Sequence, residues 1–77
     1  RTDPIVAFFY NSVLTKEGIP DKIIEDSLKY IGSVYDQISD EELKTAIYGE
    51  VEAATKSDVS RTRWIAVDIL KRITGRR

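Results

Sequence analysis

The segment Asp58–Thr74, DVSRTRWIAVDILKRIT, decides the fold predicted for this chain. Its aliphatic residues recur at helical spacing and define one buried face: Ile65, Ala66, Ile69, Leu70 and Ile73, with Val59 and Thr62 toward the N-terminus. Trp64, the only tryptophan, and Val67 lie outside this face. A helix that is apolar on two sides is central in a fold or lies at an interface. We therefore predict a last helix near 58–74, capped by Ser57 or Asp58 and closed by Gly75.

The first predicted helix, near 4–16, opens with Asp3 as N-cap and Pro4 in the first turn. Gly18 is predicted to close it. Its main apolar face contains Ile5, Val6, Phe9 and Val13. Because Phe8 and Leu14 fall off that face, we expect this helix to contact two neighbours.

The second and third helices are predicted near 20–38 and 40–55. The second has the most regular apolar stripe of the chain: Ile24, Ser27, Leu28, Ile31, Val34, Tyr35 and Ile38. Its opposite, solvent-facing side is polar: Lys22, Glu25, Asp26, Lys29, Ser33, Asp36 and Gln37. The third begins with a capping box, Ser39 to Glu42, and buries a stripe of small and aliphatic residues: Leu43, Ala46, Ile47, Val51 and Ala54.

Three residues inside these helices need a specific explanation. Gly32 and Gly49 mark either a close helix crossing or a surface position. Glu50 falls within the apolar stripe of the third helix, where a charge needs a partner or a place at the rim. We therefore predict an ion pair between Glu50 and Arg63 of the last helix.

The four segments predict one all-α domain over residues 1–77, as a compact four-helix bundle or an orthogonal helical array. Arg76-Arg77 is expected to be a frayed tail. A chain of 77 residues has a thin core. Domains of this size often gain stability from a protein partner or from self-association.

Composition excludes several kinds of site. The chain has no Cys and no His, which removes the usual zinc ligands, the usual neutral-pH base and the Cys nucleophile. The acidic stretch from Asp36 does not match a calcium loop, because Glu41 would stand where that loop needs Gly. The longest apolar run, Ile5–Tyr10, is far shorter than the roughly 20 residues of a membrane span. We therefore expect no enzyme activity, metal, cofactor or membrane insertion, and a cytoplasmic protein. We also expect a thermostable protein, since Cys and Met are absent and Ile and charged residues are frequent.

Charge is divided unevenly along the chain. Residues 1–56 carry six basic and eleven acidic side chains, a net charge of −5, whereas residues 57–77 carry six basic and two acidic ones, a net charge of +4. Such asymmetry favours nucleic acid or an acidic protein as a partner. Basic residues near a helix C-terminus also oppose the negative end of the helix dipole, which needs no partner.

The run Ala53–Val67 resembles the helix-turn-helix segment of bacterial repressors. Ala54 stands where that motif has a small residue between its two helices. Asp58 stands where the motif usually has Gly. The resemblance implies that Val59, Trp64 and Val67 are buried. It also implies that the start of the last helix reads DNA, with four candidate contact residues: Ser60, Arg61, Thr62 and Arg63. A helical hairpin followed by a capped fourth helix accounts for the same run without DNA.

Two functions are therefore expected. The first is a non-catalytic protein-interaction module, a small accessory subunit that docks on a larger protein through its last helix, with nucleic-acid machinery as one setting. Its predicted contact residues are Trp64, Val67, Arg63 and Lys71. The alternative is a DNA-binding helix-turn-helix protein, expected to be a dimer. Trp64 itself either fills the core between the first and last helices or anchors a partner.

Overall fold

Residues 2–75, which the computed structural model describes, form four α-helices. They are α1 (Thr2–Phe9), α2 (Asp21–Val34), α3 (Glu41–Ala54) and α4 (Ser60–Thr74). A π-helical turn, Tyr10–Leu14, continues α1, and a 3-10 turn, Tyr35–Gln37, continues α2. No strand occurs within residues 2–75, and the predicted all-α class with four helices is confirmed.

The helix ends differ from the predicted ones where the backbone changes its winding. The predicted first helix, 4–16, begins two residues earlier and widens into the π turn after Phe9. The predicted second helix, 20–38, tightens into the 3-10 turn after Val34. Gly18 does not close the first helix as predicted. Its φ of +79° is in the left-handed region, and it turns the chain within the connection to α2. The predicted tail at 76–77 lies outside the described residues.

Contacts between distant residues set the start of α3. Asp3 does not cap its own helix; its carboxylate accepts hydrogen bonds from the amides of Ser39 and Asp40, each at 2.9 Å. Asp40 caps α3, and its carboxylate accepts from the amides of Glu42 at 2.9 Å and Leu43 at 3.2 Å. The predicted Ser39 cap is therefore wrong by one residue, because the side chain that accepts from the first-turn amides of α3 is that of Asp40.

The core consists of aliphatic side chains from all four helices and the loop before α3. Its buried members are Val6, Leu28, Ile31, Ile38, Ile47, Val51, Ala66, Ile69 and Ile73. α4 packs against both α2 and α3, whereas α1 and the π turn pack against α2. The Cα atoms span 30 × 27 × 16 Å. Since packed helix axes lie about 8–10 Å apart, the short dimension holds only two helices. Each helix consequently keeps a face in solvent.

α2 and α4 cross closely at Gly32. A Cβ atom added to Gly32 would lie 2.9 Å from Cγ1 of Ile69 and 3.1 Å from both its Cγ2 and its Cδ1. Gly49 is exposed, and a Cβ atom there would have nothing within 4 Å. The close-crossing interpretation is therefore correct for Gly32 and wrong for Gly49.

Candidate interaction surface on the last helix

α4 begins at a turn that nearby side chains hold together. Val59 is the N-cap residue, and its amide donates to Oγ of Ser57 at 3.1 Å. The guanidinium of Arg63 donates to the carbonyl oxygen of Ser57 at 2.8 Å and to Oγ of Ser60 at 3.3 Å. The predicted cap at Ser57 or Asp58 is therefore wrong, although Ser57 does stabilise the turn. These contacts hold the half-buried Arg63 against the start of the helix.

α4 buries one face and leaves the opposite one in solvent. The buried positions are Thr62, Ala66, Ile69 and Ile73. The opposite positions recur at i, i+4, i+7 and i+11, and we name them the α4 outer face: Ser60, Trp64, Val67 and Lys71. Trp64 is 71% exposed, Ser60 and Lys71 are exposed, and Val67 is half-buried.

Trp64 is a surface residue, so the prediction that it fills the core is wrong. That prediction placed the ring between the first and last helices, but α1 packs against α2 and leaves the ring uncovered. Phe8 of α1 is likewise 62% exposed, so the expected second neighbour of α1 does not cover it. Leu14, the other residue off the main face of that helix, is half-buried against the core as expected.

α4 carries more basic than acidic side chains. α4 carries four basic residues and one acidic residue, a net charge of +3: Arg61, Arg63, Lys71, Arg72 and Asp68. Asp68 pairs with Arg72 at 3.4 Å between carboxylate and guanidinium, with both side chains mostly exposed. An exposed pair of this kind contributes little to stability. Along the helix, Trp64 has Arg61 one turn before it, Asp68 one turn after it and Lys71 two turns after it.

Arg61 extends toward α2, where it meets a buried carboxylate. Its Nε lies 3.3 Å from Oε1 of Glu25, which is only 3% exposed. The prediction that Glu25 faces solvent is therefore wrong, because α4 covers it. The Glu25–Arg61 and Gly32–Ile69 contacts occur in the same order along both helices, so α4 runs alongside α2 in the same direction. The sequence contained a signal that another helix packs on this side of α2, because Gly32 follows Glu25 by two turns on the same helical face.

Glu50 does not form the predicted ion pair with Arg63. Within residues 2–75 the ion pairs are Lys22–Asp26, Arg61–Glu25 and Arg72–Asp68. Glu50 is half-buried and lines an open cavity of about 240 Å³ between the π turn, α2 and the α3–α4 connection. The reason is local, since Arg63 is bound to the turn before α4 instead.

The residues predicted to contact DNA do not form one exposed row. Thr62 is only 5% exposed, Arg61 is paired with Glu25, and Arg63 is bound to the turn before the helix. Trp64, which the helix-turn-helix resemblance implies to be buried, is exposed. The connection between α3 and α4, residues 55–59, is longer than the three or four residues typical of that motif. The start of α4 therefore does not present these four residues together to solvent.

Three further observations bear on function. Among residues 2–75, no group of three or more acidic side chains is placed to hold a metal ion. No helix in this part of the chain combines the length and apolar composition needed to cross a bilayer. No model of a known protein family, curated protein or solved structure matches the chain. Function must therefore be inferred from the surfaces of the molecule itself.

Proposed function

We propose that this chain is a non-catalytic protein-interaction module, a small accessory subunit that docks on a larger protein through the α4 outer face. The observation that carries the proposal is the position of Trp64. The only tryptophan of the chain is 71% exposed at the centre of a helix face turned away from the core. Tryptophan and arginine dominate the energetic hot spots of protein interfaces, and the largely exposed Arg61 lies one turn before Trp64 on α4.

The charge of α4 selects the kind of partner. Counted together with Glu25, which pairs with Arg61, the net charge of +3 on α4 falls to +2 at this surface, so the surface is complementary to an acidic partner and repels a basic one. The partner surface that fits best has an apolar pocket for the Trp64 ring and carboxylates around it. A cytoplasmic location, with nucleic-acid machinery as one setting, belongs to the same proposal.

The exposed part of Trp64 is large enough to act as an anchor. A Trp side chain buries about 150–250 Å², so roughly 140 Å² of this ring remains available to a partner. Burying that area is worth about 3.5 kcal/mol at about 25 cal/mol/Å². Part of this gain is offset by ordering and desolvation at the interface. We therefore expect Trp64→Ala to weaken the complex by about 2 kcal/mol or more, which is about 30-fold in Kd.

Affinity purification with nuclease treatment tests the proposal. Three baits are compared: the native chain, Trp64→Ala, and Phe8→Ala as a matched loss of an exposed aromatic residue on α1. We expect a protein that is retained by the native chain and by Phe8→Ala, is lost with Trp64→Ala, and is insensitive to nuclease. The affinity is then measured with the purified partner through the emission of Trp64. Trp64 is the only tryptophan of this chain, and its emission should shift to shorter wavelength when the ring leaves water.

DNA binding by a helix-turn-helix is the competing outcome. It predicts that a nucleic acid is captured, that binding falls steeply with salt, and that Arg61→Ala with Arg63→Ala abolishes it. Under that alternative Trp64→Ala leaves binding largely intact. The docking proposal would be overturned by capture of a nucleic acid whose binding survives Trp64→Ala. It would also be overturned if Trp64→Ala retained the partner protein.

A further inference from the structure

The cavity between the π turn, α2 and the α3–α4 connection is a second candidate site, separate from the α4 outer face. Its volume is about 240 Å³, and six apolar side chains line it: Val13, Leu14, Ile24, Leu28, Ala53 and Ala54. An apolar cavity of about 150 Å³ accommodates benzene, so this one has room for a small aliphatic group. The π turn supplies two of the six residues, and π turns are rare and frequently occur at functional sites.

Two side chains of opposite charge line the same cavity from separate elements. Glu50 belongs to α3 and is half-buried, whereas Lys16 follows the π turn and is exposed. Neither belongs to an ion pair in the part of the chain that the structure describes. A charge beside apolar side chains attracts an opposite charge more strongly than it does in bulk water, because the local dielectric constant is lower. Both charges are thus available to a molecule in the cavity.

Two hydroxyl groups, those of Ser57 and Thr62, complete the polar lining. The Ser57 oxygen accepts from the Val59 amide, which leaves the hydroxyl proton free to be donated. Thr62 is only 5% exposed, and its hydroxyl makes no hydrogen bond within residues 2–75. In the same residues no side-chain polar atom is sealed from solvent without a partner, so the Thr62 hydroxyl reaches the open cavity. Buried hydroxyls normally have a partner, and a ligand in the cavity would supply one.

We propose that this cavity binds a zwitterionic amino acid with an aliphatic side chain, such as leucine. Its ammonium group pairs with Glu50, its carboxylate pairs with Lys16, and its side chain lies against the apolar lining. The two charges of the cavity select a zwitterion. A ligand with one positive charge is attracted by Glu50 but repelled by Lys16, and a ligand with one negative charge meets the reverse. Only a molecule that carries both charges is attracted by both side chains.

Binding should be weak because the cavity is open and the ligand is small. A molecule of about nine non-hydrogen atoms makes few contacts to offset the freedom that it loses on binding, so we expect a dissociation constant on the order of 10⁻³ M. A hydrogen bond to a charged group is among the stronger single contacts. Loss of either charge pair should therefore weaken binding by about tenfold.

Titration of the folded chain with leucine, followed by amide NMR, tests the inference. The ligand is added to about ten times the expected dissociation constant, and the amides of the cavity-lining residues should shift and saturate. Two analogues of leucine are matched ligands: 3-methylbutylamine lacks only the carboxylate, and 4-methylpentanoate lacks only the ammonium group. Each should bind about tenfold more weakly than leucine. Glycine, which lacks the aliphatic group, should give no saturable shift.

Substitutions then assign each charge of the ligand to one side chain. Glu50→Gln should remove the advantage of leucine over 4-methylpentanoate, and Lys16→Met should remove its advantage over 3-methylbutylamine. Glu52→Gln is the matched control and should leave leucine binding unchanged, because Glu52 is exposed on the same helix as Glu50 and does not line the cavity. Circular dichroism checks the fold of each variant. The comparison of ligands on the native chain remains decisive if a variant unfolds.

Three results would overturn the inference. They are the absence of a saturable shift with leucine, equal affinities for leucine and its two analogues, and leucine-induced shifts confined to the α4 outer face. Equal affinities would mean that the cavity binds aliphatic groups without recognising charge. Docking through α4 is judged separately, by the loss of a partner protein on Trp64→Ala, so either proposal can fail without the other.

Discussion

Gly32→Ala tests the closest helix contact in the fold. In an open helix, Ala is about 1 kcal/mol more favourable than Gly. At position 32, however, the new methyl carbon would lie 2.9 Å from Cγ1 of Ile69. Carbon atoms pack best at about 3.5–4.0 Å, so the two groups must separate by roughly 0.6–1 Å. Ile69 is 1% exposed and branched at Cβ, so it has little freedom to turn away.

Overpacking of this kind costs about 1–3 kcal/mol. Subtracting the helical preference for Ala leaves a net loss of about 1 kcal/mol in the free energy of unfolding. Gly49→Ala is the matched control, because a Cβ atom there has nothing within 4 Å. It should gain up to about 1 kcal/mol from the same helical preference. The difference between the two variants, about 2 kcal/mol, then measures the packing of α2 on α4 alone.

Urea unfolding followed by circular dichroism measures both variants, and the slope against urea should not change. In thermal unfolding, a domain of this size shifts by about 4–8 °C per kcal/mol, so the two midpoints should differ by roughly 8–16 °C. In an Ile69→Ala background, which removes all three contacting carbons, Gly32→Ala should no longer destabilise. Equal gains for Gly32→Ala and Gly49→Ala in the native background would refute the close crossing.

Three further predictions concern single side chains. Arg61→Ala leaves Glu25 buried without its partner and should lower the free energy of unfolding in urea by about 1–2 kcal/mol. This is less than the 3–5 kcal/mol of a fully buried pair, because the Arg61 side chain is largely solvated. An unchanged free energy would mean that the Glu25 carboxylate reaches water. Asp40→Ala should lower the free energy of unfolding by about 1 kcal/mol because it removes the cap of α3, whereas Ser39→Ala should change it little. A larger loss for Ser39→Ala than for Asp40→Ala would show that Ser39 is the cap, as the sequence predicts. Trp64→Ala should stay folded, with unfolding free energy within about 0.5 kcal/mol of the native chain; a variant that unfolds would return the ring to the core.

The periodic positions of the aliphatic residues were enough to predict the helices. Leu28 and Ile31 on α2, Ile47 and Val51 on α3, and Ile69 and Ile73 on α4 lie three or four residues apart within each pair, and all six are buried. Such periodicity is local, because a helix repeats every 3.6 residues wherever its partners lie. Caps were less predictable. Asp3 has the sequence context of a helix cap, yet its carboxylate binds the amides of Ser39 and Asp40.

The candidate site was predicted only in part. The composition of the last helix already singled out Trp64 and the arginines around it as candidates for contact with a partner. Sequence alone left open whether Trp64 was core or surface, because the ring lies off the main apolar face in either case. Tertiary structure decided this, since α1 packs on α2 and Trp64 is 71% exposed.

Sequence by itself thus determined the class of fold, the four helices and the face of α4 that enters the core, because all three depend on spacing along one helix. Only the tertiary structure decided that Trp64 is exposed, that Glu25 is buried under Arg61, and that Gly32 is a crossing point. The physical reason is that a residue at the edge of an apolar face, or outside it, is buried only if another helix packs over that residue. For α2 that helix is α4. Gly32, two turns after Glu25, marks the face of α2 that a helix can approach closely, but the sequence of α2 does not say which helix lies there.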